Sequence, residues 1–113
     1  MKIVDKKISL FELKQMAKRM YGDLVKAVVD IEKEIMVVDG EMYADEEWLL
    51  LEKGSKQESL WGINLYPDLF EESFIEFDSV INLRPRLNNF SSFIEDEKIR
   101  KKIVEIVNKL VAK

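Results

Sequence analysis

The sequence contains no cysteine and no histidine among its 113 residues. Without cysteine the chain has no disulfide and no thiol nucleophile, and zinc or haem sites of the usual kinds lack their common ligands. Without histidine there is no imidazole to act as an acid or base near neutral pH. A serine nucleophile would need a lysine as its base, and neither Ser55 nor Ser79 stands in a recognisable arrangement for that chemistry.

Glycine and proline are also scarce, with four and two residues respectively. The glycines are too far apart to form a phosphate-binding loop, and Gly22, Gly40 and Gly54 stand where helix caps or turns use them. Gly62 differs because it lies inside an apolar run. There we expect a bulge, or the close approach of another backbone or a ligand.

Long apolar runs are absent, and the longest are short ones such as residues 48–51. Residues 1–7 contain no apolar signal-peptide core, so we expect a cytoplasmic protein with no membrane partner. The 22 acidic and 18 basic residues give a formal net charge of -4, which argues against nucleic acid as a partner. The abundance of lysine and glutamate is compatible with a thermophilic source.

Apolar residues make up 47% of the chain, enough for one hydrophobic core. At this length we expect a single domain, residues 1–113, that buries roughly two-thirds of its unfolded surface.

Three segments have the periodicity of helices. Ser9 and Glu12 form a capping box that starts the first helix at about Leu10, and Gly22 ends it. Asp45 is the predicted N-cap of a second helix, residues 46–53. Its four consecutive large apolar residues, 48–51, make it either a well-buried middle helix or one that another subunit partly covers. The third begins near Asp96. Its predicted core stripe is Ile99, Ile103, Ile106, Val107 and Leu110.

Four segments read as strands: residues 24–30, 34–38, 60–66 and 74–84. Short connections predict two hairpins, the second with a loop at residues 67–73 that carries Leu69 and Phe70. The order is therefore α-β-β-α-β-β-α. We predict an α+β fold with a mainly antiparallel sheet and with all three helices packed on one face.

Strand 74–84 is the most informative segment because its apolar and polar residues alternate. The apolar set directed inward is Ile75, Phe77, Ile81 and Leu83. The polar set directed outward is Glu76, Asp78, Asn82 and Arg84. With Asn64 and Tyr66 of the preceding strand, this polar set forms one predicted patch for a ligand or partner, whereas Trp61 points the other way into the core.

Two kinds of site are open within this patch. Glu76 and Asp78 could bind Mg²⁺, Mn²⁺ or Ca²⁺ with an asparagine carbonyl, although outward carboxylates are more often simply solvated. Arg84 and Arg86 could bind an anion, helped by polar residues of the following loop. Those loop residues are Asn88, Asn89 and Ser91. The alternative for Arg84 is an ion pair with Glu76 or Asp78.

The chain resembles a small prokaryotic family catalogued only as a domain of unknown function. The resemblance runs from the first helix to the last and rests on five segments. These are residues 29–33, 44–47, 54–57, 60–67 and 74–79. It implies a stand-alone prokaryotic domain of this length, and it brings no activity, cofactor or catalytic residue with it.

The sequence names no reaction. Our leading hypothesis is a non-enzymatic cytoplasmic interaction domain without a cofactor, which forms a homodimer or other homo-oligomer through the polar patch. Trp48, Leu69 and Phe70 add apolar surface that a second subunit would cover. The alternative is a hydrolase or nuclease that uses Mg²⁺ or Mn²⁺ at Glu76 and Asp78.

Overall fold

A computed structural model describes residues 1–113 and contains seven strands and three α-helices. The strands are β1 Lys2–Val4, β2 Ile8–Ser9, β3 Val25–Asp30, β4 Ile35–Val38, β5 Leu60–Leu65, β6 Ile75–Glu76 and β7 Val111–Ala112. The helices are α1 Leu10–Met20, α2 Tyr43–Glu52 and α3 Glu97–Leu110. Short 3-10 turns cover Gln57–Ser59, Glu71–Ser73, Val80–Asn82 and Pro85–Leu87. The predicted α+β class is confirmed.

Five strands form one antiparallel sheet in the order β1-β4-β3-β5-β6. Strands β3 and β5 pair over six residues, from Val25 opposite Leu65 to Asp30 opposite Leu60. The short strands β2 and β7 pair in parallel beside this sheet. The predicted antiparallel hairpins are confirmed, and the prediction missed β1, β2 and β7, which have only two or three residues each.

The predicted start of α1 is also correct. The Ser9 hydroxyl accepts a hydrogen bond from the backbone N–H of Glu12 at 3.0 Å, which satisfies an amide that has no partner within the helix. Helix α2 instead begins three residues earlier than predicted, at Tyr43, and its N-cap residue Met42 makes no side-chain cap.

The main core lies between one face of the sheet and the helices α1 and α3. Its helical residues include Leu13, Met16, Ala17, Ile103, Ile106, Val107 and Leu110. Its sheet residues include Val25, Ala27, Val29, Met36, Val38, Trp61, Ile63 and Leu65. Alternate strand residues face the same side of a sheet, so this set defines one complete apolar face. The predicted burial of Trp61 is confirmed.

The predicted packing of all helices on one face is wrong, because α2 covers the opposite face. There Leu50 of α2 packs with Val28, Val37 and Leu60 in a separate apolar cluster. The central strands carry consecutive apolar residues, so both of their faces need cover from water. Trp48 is 60% exposed, so the alternative of a well-buried middle helix is wrong, and cover by another subunit stays a prediction.

The predicted strand 74–84 is also shorter in the structure. Only Ile75 and Glu76 pair with β5, and Asp78 forms an isolated bridge with Phe93. The chain then leaves the sheet and turns back over the α2 side. Ile81 packs in the α2 cluster instead of the main core, and Leu83 is 53% exposed.

Gly62 leaves room for the segment after β6 to pack against β5. A Cβ atom on Gly62 would lie 2.5 Å from the Cβ of Ser79, which is too close for any side chain. The expected close approach at Gly62 is therefore present, but the side chains of Ser79 and Ile81 make it and not another backbone or a ligand. None of the three helices is both long enough and apolar enough to span a membrane.

We predict that Gly62→Ala destabilises the protein by about 1–3 kcal/mol, because the added methyl overlaps Ser79. Urea unfolding followed by circular dichroism measures the change. Ser79→Gly should restore part of the loss in the Gly62→Ala background, since it removes the overlapping Cβ. Equal losses in the single and double variants would show that the contact does not limit the packing.

Candidate binding site

The structure separates the six residues of the predicted patch into different environments. Asn64 and Asn82 are buried, Tyr66 and Arg84 are half-buried, and Glu76 and Asp78 are exposed. They do not form an open polar surface, because α2 and the segment after β6 cover part of this face of the sheet. Their contacts divide them into a relay around Asn64, an anchor at Asn82 and a separate site at Arg84.

The relay joins two tyrosines through an amide and a carboxylate. The Tyr43 hydroxyl donates to Oδ1 of Asn64, whose Nδ2 donates to Oε1 of Glu76 at 2.7 Å and to the backbone carbonyl of Asp78 at 3.1 Å. The Tyr66 hydroxyl donates to the same Glu76 oxygen at 3.1 Å. Asn64 therefore connects α2, the sheet and the segment that follows β6.

The hydroxyl groups of both tyrosines in this relay stay protonated at neutral pH. Burial, as the main cause, raises the pKa of Tyr43 to about 12 even though its hydrogen bond to Asn64 acts in the opposite direction. Burial also raises the pKa of Tyr66, and the neighbouring Glu76 adds to this effect. The two hydroxyls are therefore hydrogen-bond donors at neutral pH, which suits a role in positioning.

Asn82 acts as an anchor between the sheet and the segment above it. Its Nδ2 donates to the carbonyl of Gly62 at 2.9 Å, and the N–H of Gly62 donates to its Oδ1 at 2.8 Å. Asn89 in turn donates to the carbonyl of Asn82 at 2.7 Å and to that of Phe93 at 2.9 Å. Both asparagines are structural, and neither offers a free amide to a ligand.

Arg84 lies away from Glu76 and Asp78, and the ion pair predicted for it there is wrong. Its Nη2 donates to the Glu47 carboxylate at 2.6 Å, and its Nη1 donates to the carbonyls of Gln57 at 3.0 Å and of Leu60. Burial lowers the pKa of Arg84, and the charge of Glu47 opposes that effect. Arg84 therefore joins α2 to the start of β5 and the turn before it.

A cleft of about 540 Å³ opens beside the relay, within the range of small-ligand sites. Its lining residues are Tyr43, Asn64, Asp78, Ser79, Val80, Leu83 and Ser92. Asn64 and Asp78 of these belong to the predicted patch, and strand alternation also placed Val80 on its outward face. The same alternation directed Ser79 and Leu83 inward, which is wrong because the chain leaves the sheet there. Tyr43 and Ser92 were missed because strand alternation does not apply to a helix or a loop.

One buried carboxyl group belongs to α2 itself, near the start of the helix. Glu46 is fully buried, and its Oε2 accepts a hydrogen bond from the N–H of Gly40 at 2.9 Å, while its Oε1 has no partner. Burial raises the pKa of Glu46 to about 9, although Lys26 lowers it in part. The side chain is therefore a neutral acid at pH 7, and the sequence analysis did not single it out.

The metal hypothesis stays a prediction. The Oε1 atom of Glu76 already accepts two hydrogen bonds, and no group of three acidic, histidine or cysteine side chains converges anywhere in the structure. Glu76 and Asp78 would hold the ion with only two side chains, which is few for Mg²⁺, Mn²⁺ or Ca²⁺ unless water completes the shell.

The chain belongs to the family described as Protein of unknown function (DUF5674), whose model matches residues 2–110. The resemblance noted from the sequence is thus confirmed, and the prokaryotic source stays an expectation. No curated protein and no solved structure matches the chain.

Glu46 predicts a loss of stability as the pH rises. Its pKa is near 4.5 when unfolded and about 9 when folded, so between these values only the folded state keeps the proton. Each pH unit in this range lowers the free energy of unfolding by up to about 1.4 kcal/mol. Glu46→Gln should remove this slope and make the variant the more stable protein at pH 8.

Urea unfolding at several values between pH 5 and pH 9 measures this difference. Glu52→Gln is the matched control because it makes the same change at an exposed position of the same helix. Parallel curves for the wild type and Glu46→Gln would show that Glu46 titrates normally.

The metal hypothesis predicts that millimolar Mg²⁺ or Mn²⁺ raises the melting temperature, because an ion that binds only the folded state stabilises it. Asp78→Ala should abolish the shift, whereas Glu71→Ala, another exposed acid, should leave it intact. Differential scanning calorimetry measures both. A wild-type melting temperature that does not respond to either ion rules the hypothesis out.

Proposed function

We propose that this chain is a non-enzymatic binding domain that self-associates through the cleft and the adjoining cover segment, residues 79–93. One observation carries the proposal. The cover segment is anchored from within by buried polar groups, yet it exposes large apolar side chains at the edge of the cleft. Exposed apolar groups on a fixed scaffold are typical of protein interfaces.

The anchoring of the cover segment is extensive. Ser79, Asn82 and Asn89 are buried, and the two asparagines bind backbone carbonyls of the sheet and of the segment itself. The backbone N–H of Ser79 also donates to the carbonyl of Ser92 at 3.0 Å, which closes the segment into a loop. Little conformational entropy is then left to lose when a partner binds.

The apolar side chains on this scaffold point outward. Val80 is 73% exposed and Leu83 is 53% exposed, and both line the cleft. Phe90 on the same segment is also exposed. Covering these side chains removes apolar surface from water, which favours association.

A second copy of the chain is the partner that this surface fits best. An interface with twofold symmetry must be complementary to itself. Here Val80, whose side chain is exposed, lies at the border of the cleft. Each copy can therefore place its Val80 in the cleft of the other. Pairing through the sheet edges is less favourable, because the edge strands β1 and β6 have only three and two residues.

Light scattering across a concentration series tests the proposal. We expect a mass of about twice 13.3 kDa for the wild type, since two copies associate. Val80→Glu should reduce the mass to that of one chain, because it places a charge inside an apolar contact. We expect the dissociation constant of the dimer to rise at least about tenfold, because a buried charge without a partner is costly.

Phe11→Glu is the control, since it also replaces an exposed apolar side chain by a carboxylate, on α1 and outside the cleft. That variant should keep the wild-type mass. A wild type that stays at the mass of one chain, or a Val80→Glu variant that still dimerises, would contradict self-association through this surface.

A further inference from the structure

A second cavity, of about 400 Å³, lies between the connector before β5 and the turn after Arg84. Its lining includes three basic residues, Lys56, Arg84 and Arg86, and one acidic residue, Glu58. None of the other cavities has more basic than acidic lining residues. Glu47 already pairs with Arg84, so the positive charge without a close ion pair in this cavity comes from Lys56 and Arg86, against the single carboxylate of Glu58.

Arg84 is held in place while part of its guanidinium stays free. Its three hydrogen bonds, to Gln57, Leu60 and Glu47, use three of the five N–H donors that a guanidinium carries. The Nε–H and one Nη2–H have no partner in the chain. The group also lies over the ring of Trp61, 5.5 Å from its centre, and the side chain keeps 12% of its surface exposed.

The other two basic groups are available to a ligand. Arg86 is exposed and makes no ion pair, whereas Lys56 has only a long contact of 3.9 Å with Glu32. Pro85 and Leu87 add an apolar wall to the same cavity. Charge-assisted N–H donors beside an apolar wall suit an oxyanion that is attached to a small organic body.

We propose that this cavity binds a small organic oxyanion, whose carboxylate or phosphate group is recognised by Arg84 and Arg86. The oxyanion accepts hydrogen bonds from the two free donors of Arg84, and Arg86 and Lys56 neutralise its charge. The cavity shares no lining residue with the cleft, but its residues 84–87 belong to the cover segment. Titration of the Val80→Glu variant, which is expected to have the mass of one chain, therefore tests this proposal separately from self-association.

Inorganic phosphate and acetate are the probes, each titrated into the full chain at constant ionic strength set with sodium chloride. Backbone amide shifts in ¹H–¹⁵N spectra report binding. We expect saturating shifts confined to the amides of residues 56–58, Arg84, Arg86 and Leu87. Saturation with phosphate alone identifies a phosphate ligand, and saturation with acetate identifies a carboxylate ligand.

Arg86→Gln should weaken the affinity about tenfold, since it removes one charge-assisted contact. This exposed side chain has no hydrogen bond to the rest of the chain, so the variant should fold and melt like the wild type. Arg19→Gln changes the charge equally at a distant exposed arginine and should leave the affinity unchanged. Shifts that never saturate, or equal losses in the two variants, would overturn the proposal.

Discussion

The paired hydrogen bonds between the Asn82 side chain and the backbone of Gly62 hold the second layer of the protein to its sheet. Strand β6 pairs only with Asn64 and Leu65, so the N–H and carbonyl of Gly62 have no strand partner on the side away from β3. Buried backbone groups without partners are costly. Asn82 supplies both partners at once, at 2.8 and 2.9 Å, and so takes the place of a neighbouring strand.

This substitution allows the chain to leave the sheet after two paired residues and return over its face. The absence of a side chain at Gly62 leaves the space that Ser79 occupies, and Ile81 then reaches the apolar cluster under α2. Asn89 binds the carbonyl of Asn82 and fixes the far side of the same segment. The cover segment is therefore well ordered although it contains little regular structure.

The layer formed by α2 and the cover segment contains polar groups that stabilise the fold, and some of them lie at the cleft. Asn64 joins the tyrosine of α2 to the carboxylate of Glu76, and the cleft lies directly beside this relay. Glu46 of the same helix is buried, and one oxygen of its carboxyl group has no partner. A neutral acid there is tolerable, whereas its ionised form would be poorly solvated. The start of α2 is thus sensitive to pH.

Local patterns were enough to predict several parts of this structure. Ser9 and Glu12 predicted the start of α1, the apolar spacing of α3 predicted its buried stripe, and Gly62 predicted a close approach. The patterns failed for residues 77–84, where strict alternation suggested a strand. The side chain of Asn82 competes there with strand pairing, and alternation alone cannot register that competition.

The α+β class, the antiparallel hairpins, the main core and the absence of cysteine and histidine chemistry could all be predicted from the sequence alone. They follow from local spacing and composition, which act over a few residues. Three further features become visible only in the folded chain: α2 covers the second face, Arg84 pairs with Glu47, and the cleft forms between distant segments. These features bring together residues that are far apart in the sequence. Tyr43 and Ser92, for example, both line the cleft and are 49 positions apart, so no local pattern encodes them.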